Sequence, residues 1–421
     1  MKSKTYSGEY TLRHWLNLLI RGNIILPEYQ RSFVWDENDM ERLILSLKNG
    51  QFIQPVTIAR MNSLGNGVNL ILDGQQRLTS LLLFKIGYFP KKEEFRQDDS
   101  VATGDDSAMD DDEPDANGAQ IIGWTFHKCL VADSAKNGIE SIRLRLATDT
   151  KYRKYTAKNR DCVMTDEEID KFLDSHFLGF SYIVPDPSSS GDEQQFFSTL
   201  FRNMNYLGRK LSAMESRKSL YFLNDSYRNY FEGLLEDGSE LFSGIRIIEN
   251  VAPRRIDVVR YLSILSQYHV KKNTNKVMIG YSAFSSRESF YVDYVSYLLN
   301  LEQESRTDKF DGFDFASTLG DDKWKERFKT IATTLAGLKD KINLDKKHNA
   351  FQSWIDADYW LFGIIYWVLF EGKELNLTDD KILEINGIIK RKKADDNYSR
   401  NPNRITNLRL RLKDSINFFE K

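Results

Sequence analysis

Cysteine is almost missing from this chain: two in 421 residues, Cys129 and Cys162, lying far apart. That scarcity excludes a disulfide scaffold, and with no second cysteine at metal-ligand spacing it gives no sign of a zinc site; a reducing cytoplasm is the compartment it fits. Histidine is scarce too. The five, His14, His127, His176, His269 and His348, include no paired or His-x-x-Pro arrangement in the last third, and His348 stands alone in a polar stretch. A long apolar run is also lacking. The longest, Tyr359 to Phe370, is too short to span a bilayer and reads as a buried helix; the N-terminus carries no apolar signal region, so no membrane segment is expected. Charge of one sign is not in excess either. With 59 basic against 61 acidic residues and a net charge of -2, the chain is no polycation, and any nucleic-acid surface must be local. What is present is ample core material, 41% hydrophobic and 13% aromatic residues, enough for two or three domains.

Leu12, Trp15, Leu16 and Leu19 recur at amphipathic-helix spacing, with Thr11 as cap and Gly22 as stop. A short apolar segment, Ile24 to Leu26, follows. Met40, Leu43, Ile44 and Leu47 repeat the helical spacing after Asp36, and Gly50 closes that helix before the strand-like PVTIAR. The first ninety or so residues thus read helix, strand, helix, strand, strand, helix, an α/β unit. Between Glu93 and Gly118 acids crowd out large apolar residues, which predicts a disordered surface insertion. Beyond it IIGWTF, SIRLRLA and LGFSYIVP read as strands, the alternation being clearest at Ile142, Leu144 and Leu146. The α/β region is expected to run to about residue 225, with the acidic insertion at 93–118. From 226 to 421 the pattern is helical, as in DVVRYLSILSQY and DADYWLFGIIYWVLF, and predicts a second, all-α region.

The most informative junction is VNLILDGQQRLTSLLL. Val68, Leu70, Ile71 and Leu72 read as a buried strand, and Leu78, Leu81 and Leu82 as a helix starting near Gln75. Asp73, Gly74, Gln75, Gln76 and Arg77 therefore stand at a helix N-terminus, where free N–H groups and the dipole favour an anion. Gly74 lets a phosphate approach the backbone, and Arg77 offers a planar fork of donors. Asp73 repels phosphate, so its role at such a site is to hold a magnesium ion, a ribose hydroxyl or an attacking water. Chemistry alone leaves an alternative open: Asp73 caps the helix and Arg77 pairs with a nearby carboxylate.

Three blocks, LPEYQRSFVW, SLKNGQFIQPVTIAR and LDGQQRLTSL, in this order and spacing, resemble the N-terminal domain of the GmrSD family of modification-dependent restriction systems. A fourth, FRNMNYLGRKLSAMESRKSLYF, is similar to that family's second signature through Phe201, Asn205, Gly208, Leu211 and Glu215. The resemblance covers about half of the chain. It implies a fold similar to ParB and sulfiredoxin, binding of a nucleoside triphosphate, and hydrolysis in restriction and phage-defence members. Carried onto this sequence, Asp73, Gln75, Gln76 and Arg77 are the expected catalytic end of the site, with Asp73 the candidate magnesium ligand. Gly74, Arg77, Tyr29, Gln30, Arg31 and Asn205 are expected to bind the nucleotide. Tyr29 and Trp35 are candidates for stacking on a base, while Glu215, three residues after Ser212, reads better as part of a capping box.

Complete single-chain members of the family carry a C-terminal nuclease of the His-Asn-His type, and the histidines here do not match it. The resemblance then implies a nucleotide-binding subunit whose target is modified foreign DNA and whose nuclease is a separate partner, or else a non-catalytic module that grips DNA or another protein. Association with further copies of the same chain is left open. One local basic feature remains, Lys390 to Lys413, with nine basic residues against Asp395 and Asp396; Arg404 and Arg411, a heptad apart, are expected on an exposed face.

Overall fold

A computed structural model describes residues 3–27, 32–61, 68–95, 101–102, 124–133, 136–185, 213–222, 224–249, 252–283, 286–301, 309–320 and 322–420, with a few positions between 193 and 200. The chain is mixed α/β and divides into two compact units, Met1–Gln97 with Gln120–Leu223, and Asp98–Ala119 with Asn224–Lys421.

The first unit is an α/β layer structure. Its sheet runs in the order β1-β8-β3-β4-β2, from β1 (Ser3–Thr11), β2 (Ile24–Ile25), β3 (Val56–Met61), β4 (Val68–Asp73) and β8 (Phe177–Pro185). Helices α1 (Leu12–Ile20), α2 (Glu37–Lys48), α3 (Gln75–Ile86), α4 (Ile139–Thr148) and α5 (Asp166–Ser175) supply the rest of the main core. A two-stranded ribbon, β5 (Tyr88–Pro90) with β7 (Tyr152–Lys154), and a short helix, Ala213–Lys218, also belong to this unit. Helix starts follow local chemistry: the Thr11 hydroxyl accepts from His14 N–H at 3.2 Å, and Asp36 and Asp39 form a reciprocal capping box. Ala59, Met61, Leu70 and Leu72 point to the other sheet face and pack with Phe197.

Three sequence expectations change here. SIRLRLA is helical, within α4, because Ile142 and Leu146, one turn apart, are buried while Leu144 between them is 72% exposed; a period-2 pattern over so few residues coincides with an i, i+4 face. In IIGWTF the first three residues lie outside the described set, Trp124 and Thr125 are irregular, and Phe126 opens a short 3₁₀ turn. Strand β1 has no apolar alternation to announce it: most of its residues are exposed, and it exists through antiparallel pairing with β8 along its whole length.

The second unit is mainly helical, with α6 (Val258–Lys271), α7 (Arg287–Leu298), α8 (Lys323–Leu338), α9 (Trp354–Ile365), α10 (Asp379–Ala394) and α11 (Ile405–Glu420) as its longer helices. It is not all-α. A small sheet in the order β11-β9-β10-β6 joins β9 (Arg246–Glu249), β10 (Ala252–Ile256) and β11 (Ala350–Phe351) to β6 (Val101–Ala102). These strands are two to five residues long, too short for periodicity to register. β6 lies inside the acidic insertion, so that stretch contributes a strand, parallel to β10; its residues 103–118 lie outside the described set. Tyr359 to Phe370 is buried helix as expected, α9 passing into one π-helical turn, Tyr366–Phe370. Among the described residues no helix is long and apolar enough to cross a membrane.

The C-terminal basic stretch is partly drawn into the fold. Arg411 is fully buried rather than exposed, its Nε donating to Asp358 Oδ2 at 2.9 Å. Arg409 donates to the Val277 carbonyl at 2.6 Å, and Lys393 pairs with Asp356 at 3.0 Å. Lys390, Arg391, Arg404 and Lys413 remain exposed.

Candidate functional site

Strand β4 ends at Asp73, and Gly74 turns the chain into α3 with φ +97°. Only glycine takes that turn without strain, and a Cβ there would lie 2.9 Å from Val56 Cγ2 and 3.2 Å from Val56 Cα. Opposite, the β3–β4 register shifts between Thr57 and Ile58, a local irregularity beside the turn. We expect Gly74→Ala to cost about 1–3 kcal/mol through backbone strain and contact with Val56. Urea unfolding measures it; a change within ~0.5 kcal/mol would show that the turn relaxes freely.

No side chain caps α3. Its first in-helix bond is Leu78 N–H to the Gly74 carbonyl, so the N–H groups of Gln75, Gln76 and Arg77 belong to the unsatisfied first turn that draws anions. Every residue of α3 is buried, the polar ones included. The helix is a central element of the unit, and its polar start is enclosed rather than laid on the surface.

The four polar side chains have different roles within this junction. Arg77, 9% exposed, donates through Nη2 to Asp73 Oδ2 at 2.6 Å and through Nη1 to the Gln54 carbonyl. The open alternative is thus half met: Arg77 does pair with a carboxylate, that of Asp73, but Asp73 caps nothing. Among the described residues only Oδ2 of Asp73 is engaged, and its side chain is 42% exposed, so it faces outward. Gln76 is occupied mainly with backbone. Its Oε1 accepts from Val34 N–H at 2.9 Å and Trp35 N–H at 3.3 Å, while Nε2 donates to the Ser32 carbonyl at 3.1 Å. That carboxamide clips residues 32–35 beside α3 as a neighbouring strand would. Gln75 is 4% exposed; its Oε1 accepts from Gln76 Nε2 at 3.3 Å, and its Nε2 is a buried donor without a partner among the described residues. An orphaned buried donor costs about 1–3 kcal/mol unless something accepts from it.

Tyr29, Gln30, Arg31 and Asn205 lie outside the described residues, as does the side chain of Glu215. Trp35 is partly buried against the main core. Sequence reasoning did not find the backbone partners, the Gln54 carbonyl and the Ser32–Trp35 segment, because a main-chain contact leaves no residue type to read.

Three features suit an anion, an uncapped helix start, a glycine turn and a carboxamide donor unmatched among the described residues; Arg77 does not present the open fork expected of it, because Nη2 is directed to Asp73 and Nη1 to the Gln54 carbonyl. For magnesium, Asp73 offers one carboxylate oxygen not engaged by Arg77, which matches an ion that binds through one or two carboxylates, several waters and substrate phosphates. Among the described residues no group of three or more His, Cys, Asp or Glu side chains gathers into an all-protein metal cage.

The fold and the junction together define an α/β domain with a polar, buried strand-to-helix turn, joined to a mainly helical unit. The chain belongs to the family described as GmrSD restriction endonuclease, N-terminal domain, which matches residues 12–222 and so covers the junction and every strand of the five-stranded sheet except β1. It is a member of a family of restriction-system components. It is also similar to an uncharacterised protein of Methanocaldococcus jannaschii, MJ0686, with 37% identity over 81 aligned positions. That match covers 14% of this chain and 14% of the relative. No solved structure matches.

Proposed function

We propose that this chain is the nucleotide-using subunit of a modification-dependent restriction or phage-defence system, binding a nucleoside triphosphate at the β4–α3 junction and hydrolysing it to control an attack on modified DNA. The observation that carries the reading is the buried Nε2 of Gln75, unpartnered among the described residues, beside an uncapped helix N-terminus, in a chain of a restriction family.

On this reading the α3 N–H groups and Gln75 Nε2 bind phosphate oxygens, donors held in place before the reaction begins. Asp73 orients water or the phosphate-bound magnesium, which when bound supplies charge neutralisation. Arg77 fixes Asp73 through its ion pair, and Gln76 holds the 32–35 segment, continuous with Tyr29 to Arg31, beside the junction. Cutting is assigned to a separate nuclease, since none of the five histidines has the paired setting of a His-Asn-His site, and His348 is turned to Asp345 at 2.9 Å. The cytoplasm is the compartment proposed.

The test is phosphate release from ATP, GTP, CTP and UTP with magnesium, alongside incubation of the chain alone with plain and glucosylated hydroxymethylcytosine DNA. We expect release from at least one nucleotide and uncut DNA in every mixture. Binding of none of the four would favour the non-catalytic module, and specific cutting that survives repurification would overturn the split arrangement.

A further inference from the structure

A cavity lies in the helical unit, about 510 Å³ in volume, between α9, α10 and the Ile342–Asn343 turn. That size is within the range of roughly 300–1,000 Å³ that takes small ligands. Its floor is Trp360 and Asp356, one turn apart on α9 and both buried, with Ile342 and Ile389 as apolar walls. Its mouth carries Asn343, Asn386 and Lys390.

The charges are unequal. Lys393 Nζ sits 3.0 Å from Asp356 Oδ2, which also accepts from the Ser353 hydroxyl at 2.6 Å, so the acid on the floor is already matched. Lys390 has no partner among the described residues and leaves the cavity with an uncompensated cation. Asn386 uses one amide hydrogen on the Lys341 carbonyl at 3.2 Å, and its oxygen stays free; the carboxamide of Asn343 makes no bond among the described residues. Two carboxamides, a lysine and the apolar sides of Ile342, Ile389 and Trp360 thus line one space.

Gly387 supplies the second, independent observation. It stands in the middle of a 16-residue helix, where glycine is the poorest helix former but proline. A Cβ on it would meet nothing within 4 Å, so packing does not call for glycine there. Its missing side chain does keep the cavity open.

We propose that this cavity is a binding site for a nucleoside monophosphate, distinct from the junction in the first unit. Lys390 takes the phosphate, the Asn343 and Asn386 carboxamides take the polar edge of the base, and the isoleucine and Trp360 surfaces cover its apolar part. The nucleotide is either free or the terminal unit of a single strand, since both present the same chemistry.

The experiment is a thermal-shift titration of the full chain with AMP, GMP, CMP and TMP, and separately with single-stranded DNA tetranucleotides. We expect at least one probe to raise the melting temperature by several degrees. Gly387→Leu should abolish that shift while melting at or above the parent, because it fills open space and improves the helix. Lys390→Glu, at an exposed position, should abolish it too, and Gln75→Met should leave it intact because the two sites are separate. A shift from mononucleotides assigns the free ligand; one from tetranucleotides only assigns the strand end. The proposal is overturned if no probe shifts the parent, if the shift persists in Lys390→Glu, or if Gln75→Met removes it. Should Gly387→Leu fail to fold, Lys390→Glu decides alone.

Discussion

Replacing Asp358 with alanine is expected to lower the stability of the helical unit by about 3–5 kcal/mol, a large share of what holds a domain together. Asp358 is fully buried on α9 and is the shared acceptor of a three-helix ion network. Its Oδ1 accepts from Arg260 Nη1 at 2.7 Å and the Tyr261 hydroxyl at 2.9 Å, both from α6; its Oδ2 accepts from Arg260 Nη2 at 2.9 Å and from Arg411 of α11 at 2.9 Å. Removing the carboxylate leaves two guanidinium groups away from water with no negative partner. The aromatic rings around Arg260, Trp354 at 4.3 Å and Tyr261 at 4.9 Å, replace only part of that attraction.

The pH behaviour follows with a definite sign. Burial raises the Asp358 carboxyl, but Arg260 and Arg411 outweigh it and hold the group below its ordinary value. An acid depressed in the folded state adds stability that is complete above its unfolded value, about pH 4, and is lost as the pH falls through the lower folded one. Equilibrium urea unfolding of parent and Asp358→Ala at neutral pH and at about pH 3 measures both effects. A difference below ~1 kcal/mol at neutral pH would mean that the network roughly balances its own desolvation even when broken, against the usual cost of an unmatched buried charge. Replacing Arg260, Asp358 and Arg411 together by apolar side chains should recover most of the loss.

The second large effect is expected at the junction. Gln75→Met should lower phosphate release by about 100-fold or more, the usual cost of deleting one fixed donor to a developing negative charge. It should change the melting temperature little, because among the described residues the Gln75 carboxamide makes one long bond, accepting from Gln76 Nε2 at 3.3 Å, while its own Nε2 has no partner there, and methionine matches the volume. Two neighbours serve as contrasts. Gln76→Met frees the Val34 and Trp35 amides and the Ser32 carbonyl, so it should lose about 1–3 kcal/mol of stability and raise KM more than it lowers kcat. Arg77→Ala removes both the Asp73 pair and the bond to the Gln54 carbonyl, so it should weaken fold and release together. Steady-state kinetics beside thermal melts separates the three; a Gln75→Met chain that releases phosphate at the parent rate would sink the assignment of Gln75.

Much of the first unit was legible because its elements are local. The Leu12–Leu19 stripe, the Asp36 start, the buried run before Asp73 and the helix start near Gln75 each report on a few neighbouring residues, and each stands where the pattern placed it. The candidate site was legible only as a set of residues. That Asp73, Gln75, Gln76 and Arg77 stand at a helix start follows from the chain itself, yet four adjacent polar residues look equivalent in sequence. Their separate roles come from what lies across from them, Gln54 on one side and Ser32 to Trp35 on the other.

The sequence by itself determined the scarcity of cysteine and histidine, the strand–glycine–helix junction, the helical character of the later chain and the family through its four motif blocks, since all of these rest on composition or on short-range spacing. Tertiary structure alone decided that strand β1 forms beside β8, that Val101–Ala102 joins the small sheet of the helical unit, that SIRLRLA winds into α4, and that Arg411 of a seemingly basic surface lies fully buried on Asp358. Each of these depends on a partner far away along the chain. A distant carboxylate can hold an arginine away from water, and a distant strand can order an unpatterned segment by pairing with it, and no local rule carries that information.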